Sequence, residues 1–166
     1  MGKIINFSVV FKVLSRNLFI VSAAFLLCML VAIIFSEPVM PFLFSFIIAF
    51  SLGISLHLLT SKKGNEATIQ RKDAYITVTL SWLSISLIGA LPYIFSASIP
   101  VFTDAFFESV SGFTTTGSSI LKEIESLPYS ILFWRSLTHW IGGIGIIVLV
   151  IIVMPTLHMG GYHLFT

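Results

Sequence analysis

The sequence predicts an all-α membrane protein: four transmembrane helices, with a re-entrant helix and loop between the third and the fourth. Three observations carry this expectation. Of 166 residues, 57% are hydrophobic and only 10% charged, against about 25% charged in a typical soluble domain. So few charges cannot coat a surface that faces water on all sides. Four separate apolar runs each reach the ~20 helical residues that cross a hydrocarbon layer of ~30 Å. Finally, no alternating pattern of about ten residues repeats along the chain, which disfavours a barrel. Helices are then the way across, because each backbone N–H and C=O must be satisfied within its own segment.

The first span is Leu18–Phe35. Lys3, Lys12 and Arg16 precede it, as they would a signal peptide, but the run is longer than a signal core of about 7–15 residues. The following SEPVMP also lacks a small-x-small cleavage pattern, so the segment reads as a retained anchor. The second span, Val39–Leu59, has no formal charge and carries His57 near its end. The third is Ala74–Ala97, with Pro92 near its far end. The fourth is Tyr129–Met154, containing Arg135 and His139. The chain therefore divides into an N-terminal two-helix hairpin over residues 1–73 and a helix–loop–helix unit over residues 74–166.

Loop charges give the orientation. Lys3, Lys12 and Arg16 lie before the first span, and Lys62, Lys63, Arg71 and Lys72 lie between the second and third. The opposite connections are acidic: Glu37 alone on one, and Asp104, Glu108, Glu123 and Glu125 against Lys122 on the other. Basic loops stay in the cytoplasm, which places both termini inside. The net charge of +2 is too small to suggest a nucleic-acid partner, and no basic run is longer than two residues. The single Cys28 excludes a disulfide framework and a thiolate metal site.

The last connection, Ser98 to Pro128, is half apolar. Thr103 can cap a helix start with its hydroxyl, and Asp104 suits the positive end of that helix. Ala105, Phe106, Phe107 and Val110 continue it for two to three turns, and Gly112 is a plausible stop. A helix that short cannot cross a bilayer, which points to a re-entrant segment. The stretch SGFTTTGSS, Ser111 to Ser119, follows it. Bare backbone at membrane depth is tolerated only where it is buried in protein or lines a watery cavity. Thr114, Thr115 and Thr116 are β-branched and favour extended backbone. Gly117 permits dihedrals closed to other residues. Carbonyls from these four residues could then line one axis and replace the water shell of a cation, with the negative end of the short helix facing the same place. An exposed turn-rich loop is the plainer alternative.

The segments FFESVSGFTTTGSS and LPYSILFWRSLTHWIGGIGIIVLVIIVMP resemble the first pore loop and following helix of the bacterial Trk/Ktr potassium-uptake transporters, most closely the TrkH-type membrane subunits. The resemblance covers the whole chain. It implies that the short helix is a pore helix and that Thr114, Thr115, Thr116 and Gly117 supply a quarter of a filter loop, with the remaining pore units around a pseudo-fourfold axis. It also implies a potassium ion as the transported substrate, with no cofactor, and a cytosolic nucleotide-binding regulatory partner of the TrkA type. The location it implies is the bacterial inner membrane. The chain carries one pore-loop unit where the family has four. Either the gene product is the N-terminal part of a larger transporter, or identical copies assemble; the first is preferred, because the tail MPTLHMGGYHLFT stands where a linker to the next unit is expected. The rival reading is a non-conducting membrane scaffold or modulator that associates with full-length transporters.

Arg135 sits about two turns into the fourth span, where a charge is usually paired. Glu108 or Asp104 is its expected partner, clamping loop to helix, and snorkelling to the outer surface is the alternative. Gly142, Gly143 and Gly145 allow close approach of a helix or loop, or a hinge. Gly112 and Gly117-Ser118-Ser119 mimic a phosphate-binding loop without its lysine. His57, His139, His158 and His163 share no ligand spacing, so a zinc site is not expected. No H-E-x-x-H or G-x-S-x-G is present, and the chain is not expected to be an enzyme.

Overall fold

The computed structural model describes residues 7–61 and 71–158, and side chains over 7–60 and 73–147. Lys3, Lys62, Lys63 and His163 lie outside the described residues. The described residues form six α-helices, one 3-10 turn and no strand: α1 Phe7–Ile34, α2 Met40–Ser61, α3 Arg71–Gly89, α4 Leu91–Phe95, α5 Phe102–Phe113, the 3-10 turn Ile124–Ser126, and α6 Tyr129–His158.

Three of the described helical segments are long and apolar enough to cross a membrane: Phe7–Ile34, Met40–Thr60 and Asp73–Phe95. The first begins well before Leu18, because Phe7 to Arg16 continue the helix on the basic side. The fourth expected span falls on α6, a single helix of 30 residues. Many large apolar side chains face outward, among them Leu30, Ile33, Ile34, Leu58 and Leu59. A soluble monomer rarely exposes such an area, whereas hydrocarbon accepts it.

The third span is bent. Pro92 has no N–H to donate and its ring crowds the preceding turn, so α3 ends at Gly89 and α4 resumes at Leu91. The path stays helical across the bend, where the Ala90 N–H donates to the Ser86 carbonyl and the Ile94 N–H to the Ala90 carbonyl. Ala97, at φ +56°, then turns the chain toward α5.

α1 is the hub, packing against α2, α3 and α6. α5 in turn lies against α3, α4 and α6. Phe25 of α1, Tyr93 of α4, Phe113 of α5 and Trp134 of α6 are fully buried where these elements meet. The Trp134 ring lies 4.7 Å from Phe25 and 6.1 Å, edge-on, from Phe113. Its indole N–H donates to the Gly89 carbonyl at 3.0 Å, so the largest core side chain also braces the bent third span.

Candidate functional site

α5 has 12 residues, about 18 Å of helix at 1.5 Å per residue, too short to traverse a bilayer. Its start differs from the sequence expectation. Val101 is the N-cap, in extended conformation, with no side-chain cap. The helix starts at Phe102, so Thr103 lies within the first turn and its hydroxyl meets Asp104 at 3.4 Å. The expected stop differs too. Gly112 is still helical, and the chain leaves the helix through Thr114 and Thr115.

That exit is a Schellman turn: the Thr116 N–H donates to the Ser111 carbonyl and the Thr115 N–H to the Gly112 carbonyl, both at 3.0 Å. The pivot position takes φ > 0, which glycine normally supplies; here it is Thr115, at φ +57°. A β-branched residue there is unusual and strained by ~1–3 kcal/mol. The three threonines are therefore not a uniform extended run. Thr114 sits at φ −80°, ψ 0°, because closing the last turn of α5 satisfies two of its carbonyls and outweighs β-propensity. Gly117, at φ +75°, does adopt a backbone suited to glycine.

The carbonyls of this segment fall into two groups. That of Val110 accepts from the Thr114 N–H and hydroxyl, both at 2.8 Å. Those of Ser111 and Gly112 are taken by the turn, and the Ser118 carbonyl accepts the Ser111 hydroxyl at 2.6 Å. The Phe113 carbonyl faces α6, where a Cβ on Gly142 would come within 2.0 Å of its oxygen. Between these lie Thr114, Thr115, Thr116 and Gly117, all exposed, whose carbonyls accept no hydrogen bond among the described residues. The Thr114 hydroxyl spends its proton on Val110, so the 2.8 Å contact with Thr116 is donated by the Thr116 hydroxyl. Four successive carbonyls and the Thr116 hydroxyl oxygen thus have free lone pairs.

Glu108 holds the segment from behind. Its side chain is 1% exposed and its Oε1 lies 2.6 Å from Nε of Arg135, which is 20% exposed. The same carboxylate accepts the Ser119 hydroxyl at 3.0 Å and the Ile120 N–H at 3.3 Å. Ser119 in turn accepts the Leu121 N–H at 3.1 Å. One buried carboxylate therefore ties α5, the returning limb of the loop and α6 together. Of the two acids considered for Arg135, the structure pairs Glu108, while Asp104 lies in the first turn of α5 against Thr103. His139 Nδ1 lies 2.8 Å from the Arg135 carbonyl, a bond the ring donates. No cluster of three metal-ligating side chains occurs among the described residues.

Sequence reasoning passed over the structural roles of four residues. Glu37, between α1 and α2, accepts the N–H groups of Tyr129 and Ser130 at 2.6 and 2.9 Å and the Ser130 hydroxyl at 2.5 Å. It caps α6 from another part of the chain; its only signal was being the lone charge in its connection. Burial raises its carboxyl pKa, but the bonds from Ser130 and Tyr129 outweigh this and hold it below the ordinary glutamate range. Ser111 and Ser119 bracket the threonine run, visible only as small polar residues. Trp134 read as one more apolar residue.

A short helix and polar loop carried by long apolar helices is the architecture of a membrane protein, and the comparisons with known proteins give its family. The family model of TrkH cation transport proteins matches residues 38–166, and the chain belongs to that family of membrane transporters. It is 36% identical over 162 residues to the Trk system potassium uptake protein TrkH of Escherichia coli K12, covering 96% of this chain and 33% of that protein. It is 38% identical to the Trk system potassium uptake protein TrkI of Halomonas elongata, covering 94% and 32%. The crystal structure of the potassium transporter TrkH from Vibrio parahaemolyticus superimposes with a TM-score of 0.84 at 31% identity, covering 94% of this chain and 33% of that one. The chain thus spans about a third of the length of these relatives.

Proposed function

We infer that the chain provides one quarter of a potassium pathway, with the carbonyls of Thr114, Thr115, Thr116 and Gly117 standing in for water around the ion. The observation that carries this reading is a run of four exposed carbonyls that accept no hydrogen bond among the described residues, set between the Phe113 carbonyl packed against Gly142 and the Ser118 carbonyl bonded to Ser111. A dehydrated cation is a partner that a run of carbonyl oxygens without hydrogen bonds suits. α5 is the pore helix of a re-entrant segment, its C-terminal end, about half a negative charge, aimed at the same window. Glu108 and Arg135 support the loop, and α6 is the fourth span.

In this reading the protein lies in the bacterial inner membrane with both termini cytoplasmic. One unit cannot encircle an ion, so three further units complete the ring, from a longer chain or from copies of this one. A TrkA-type nucleotide-binding protein is the regulatory partner that the family relationship supports. The reaction is dehydration and passage of an ion, without covalent chemistry.

The test is growth of a potassium-uptake-deficient bacterium at limiting potassium. Expression of this sequence, alone or joined to three further units from a relative, is expected to restore growth. Gly117→Ala leaves its Cβ with nothing within 4 Å but forces an L-residue to φ +75°, a strain of ~1–2 kcal/mol. It should cut rubidium uptake at unchanged membrane abundance. Restored growth that is indifferent to Gly117→Ala would falsify the filter assignment. Complementation by neither form would favour the non-conducting scaffold.

A further inference from the structure

We propose that Gly142 is a positioning residue for the ion-facing carbonyls: its missing side chain sets where the Phe113 carbonyl rests, and through it the Thr114–Gly117 backbone. This rests on the functional reading above and names a residue outside the coordinating segment.

Three glycines lie close together on α6, but only one meets backbone. A Cβ on Gly142 would fall 2.0 Å from the Phe113 oxygen, 2.7 Å from its carbonyl carbon and 2.9 Å from its Cα. A Cβ on Gly143 would meet Thr115 Cγ2 at 3.9 Å, and one on Gly145 would meet Trp82 at 3.6 Å, both ordinary contacts. Peptide backbone cannot swing aside as a side-chain tip can, so at Gly142 either α6 or the end of α5 must move.

The end of α5 cannot move alone. The Thr115 and Thr116 N–H groups are bonded to the Gly112 and Ser111 carbonyls, so displacing Phe113 carries the closing turn with it. α6 is held in turn by the Glu108–Arg135 pair and by the Trp134 bond to Gly89. The Gly142–Phe113 contact is therefore the stop against which the turn is seated. It also packs the Phe113 carbonyl against α6, leaving the exposed Thr114–Gly117 carbonyls beyond the contact.

Neighbouring glycines allow a matched experiment in the whole protein in lipid bilayers. Thr–Gly occurs once in the sequence, at Thr116–Gly117, so carbonyl-¹³C threonine with ¹⁵N glycine isolates the Thr116 carbonyl by solid-state NMR. Without potassium, Gly142→Ala should shift that resonance while Gly143→Ala leaves it in place. An unshifted Gly142→Ala signal, or an equal shift in Gly143→Ala, overturns the proposal. Potassium titration of the parent tests the coordination reading separately, since a Thr116 carbonyl blind to potassium would defeat that reading and leave the mechanical result standing. In cells showing uptake, Gly142→Ala should lower the rubidium-to-sodium uptake ratio about tenfold, the scale of overpacking at a tight contact. Gly143→Ala should stay near the parent ratio, and an unchanged ratio in Gly142→Ala overturns the proposal. Membrane abundance is expected at the parental level in both variants; loss in Gly142→Ala alone would mean a general packing requirement and would also overturn it.

Discussion

The α1–α2 hairpin and the α5–α6 unit are joined in one core but are held by different forces. Within the hairpin, polar side chains mostly serve their own helix: Ser22 donates to the Leu18 carbonyl and Ser45 to the Pro41 carbonyl, both at 2.7 Å. Apolar packing does most of the rest, and the Ser15 hydroxyl donates across the helices to the Gly53 carbonyl at 2.9 Å. In the α5–α6 unit, polar side chains reach other segments. Glu108 binds residues 11, 12 and 27 positions away, and Trp134 reaches back 45. A long helix can rely on its own ladder, but an irregular loop has no ladder and must borrow partners.

The largest break in that contrast should come from Glu108→Ala, which leaves Arg135 unpaired in a mostly buried site. Losing one partner of a buried pair costs ~3–5 kcal/mol, and thermal unfolding in detergent should show it as a large fall in midpoint. Arg135→Gln should lower uptake, with partial recovery in the double variant with Glu108→Gln. Absence of coupling in that cycle would remove the clamp.

Glu37→Gln is the intermediate case, since it keeps the shape of the α6 cap and removes its charge. The expected loss is ~0.5–1 kcal/mol. Because hydrogen bonds hold the Glu37 carboxyl below its ordinary value near 4.5, its contribution is fully present above that value and is lost as pH falls through the lowered pKa. Unfolding midpoints of the parent should therefore drop on acidification in that window, and the Gln variant should lack this part of the pH dependence. A parallel pH profile in both would mean that the charge of Glu37 does not stabilise the α6 N-terminus.

The smallest effect is expected for Ser45→Ala, where only a back-bond to the same helix disappears, within about 0.5 kcal/mol. A change as large as that of Glu37→Gln would erase the distinction between self-contained and borrowed partners.

Much of the fold was legible in order. The apolar runs located α1, α2 and the bent third span, and the half-apolar connection held the short helix that became α5. Its ends were misjudged for a physical reason. Thr103 and Gly112 have good capping chemistry, but Gly112 is needed where α5 meets Thr138, since a Cβ there would fall 2.3 Å from the Thr138 hydroxyl. Thr115 takes the left-handed position instead. Of the candidate site, both ends of the ion pair could be named from sequence, whereas the choice of Glu108 over Asp104, the cap from Glu37 and the bond from Trp134 could not.

Hydropathy and loop charge are sums over neighbouring residues, so the sequence alone determined that this chain belongs in a bilayer, roughly where it crosses, and where its backbone is left without a helix. Which carbonyls stay free is a different kind of fact. It depends on a closing turn and a hydroxyl bond between residues 3 to 7 positions apart and on a close approach between α5 and α6. Only the folded chain decided it, because a hydrogen bond or a steric stop exists only once both of its sides have been brought within a few ångströms.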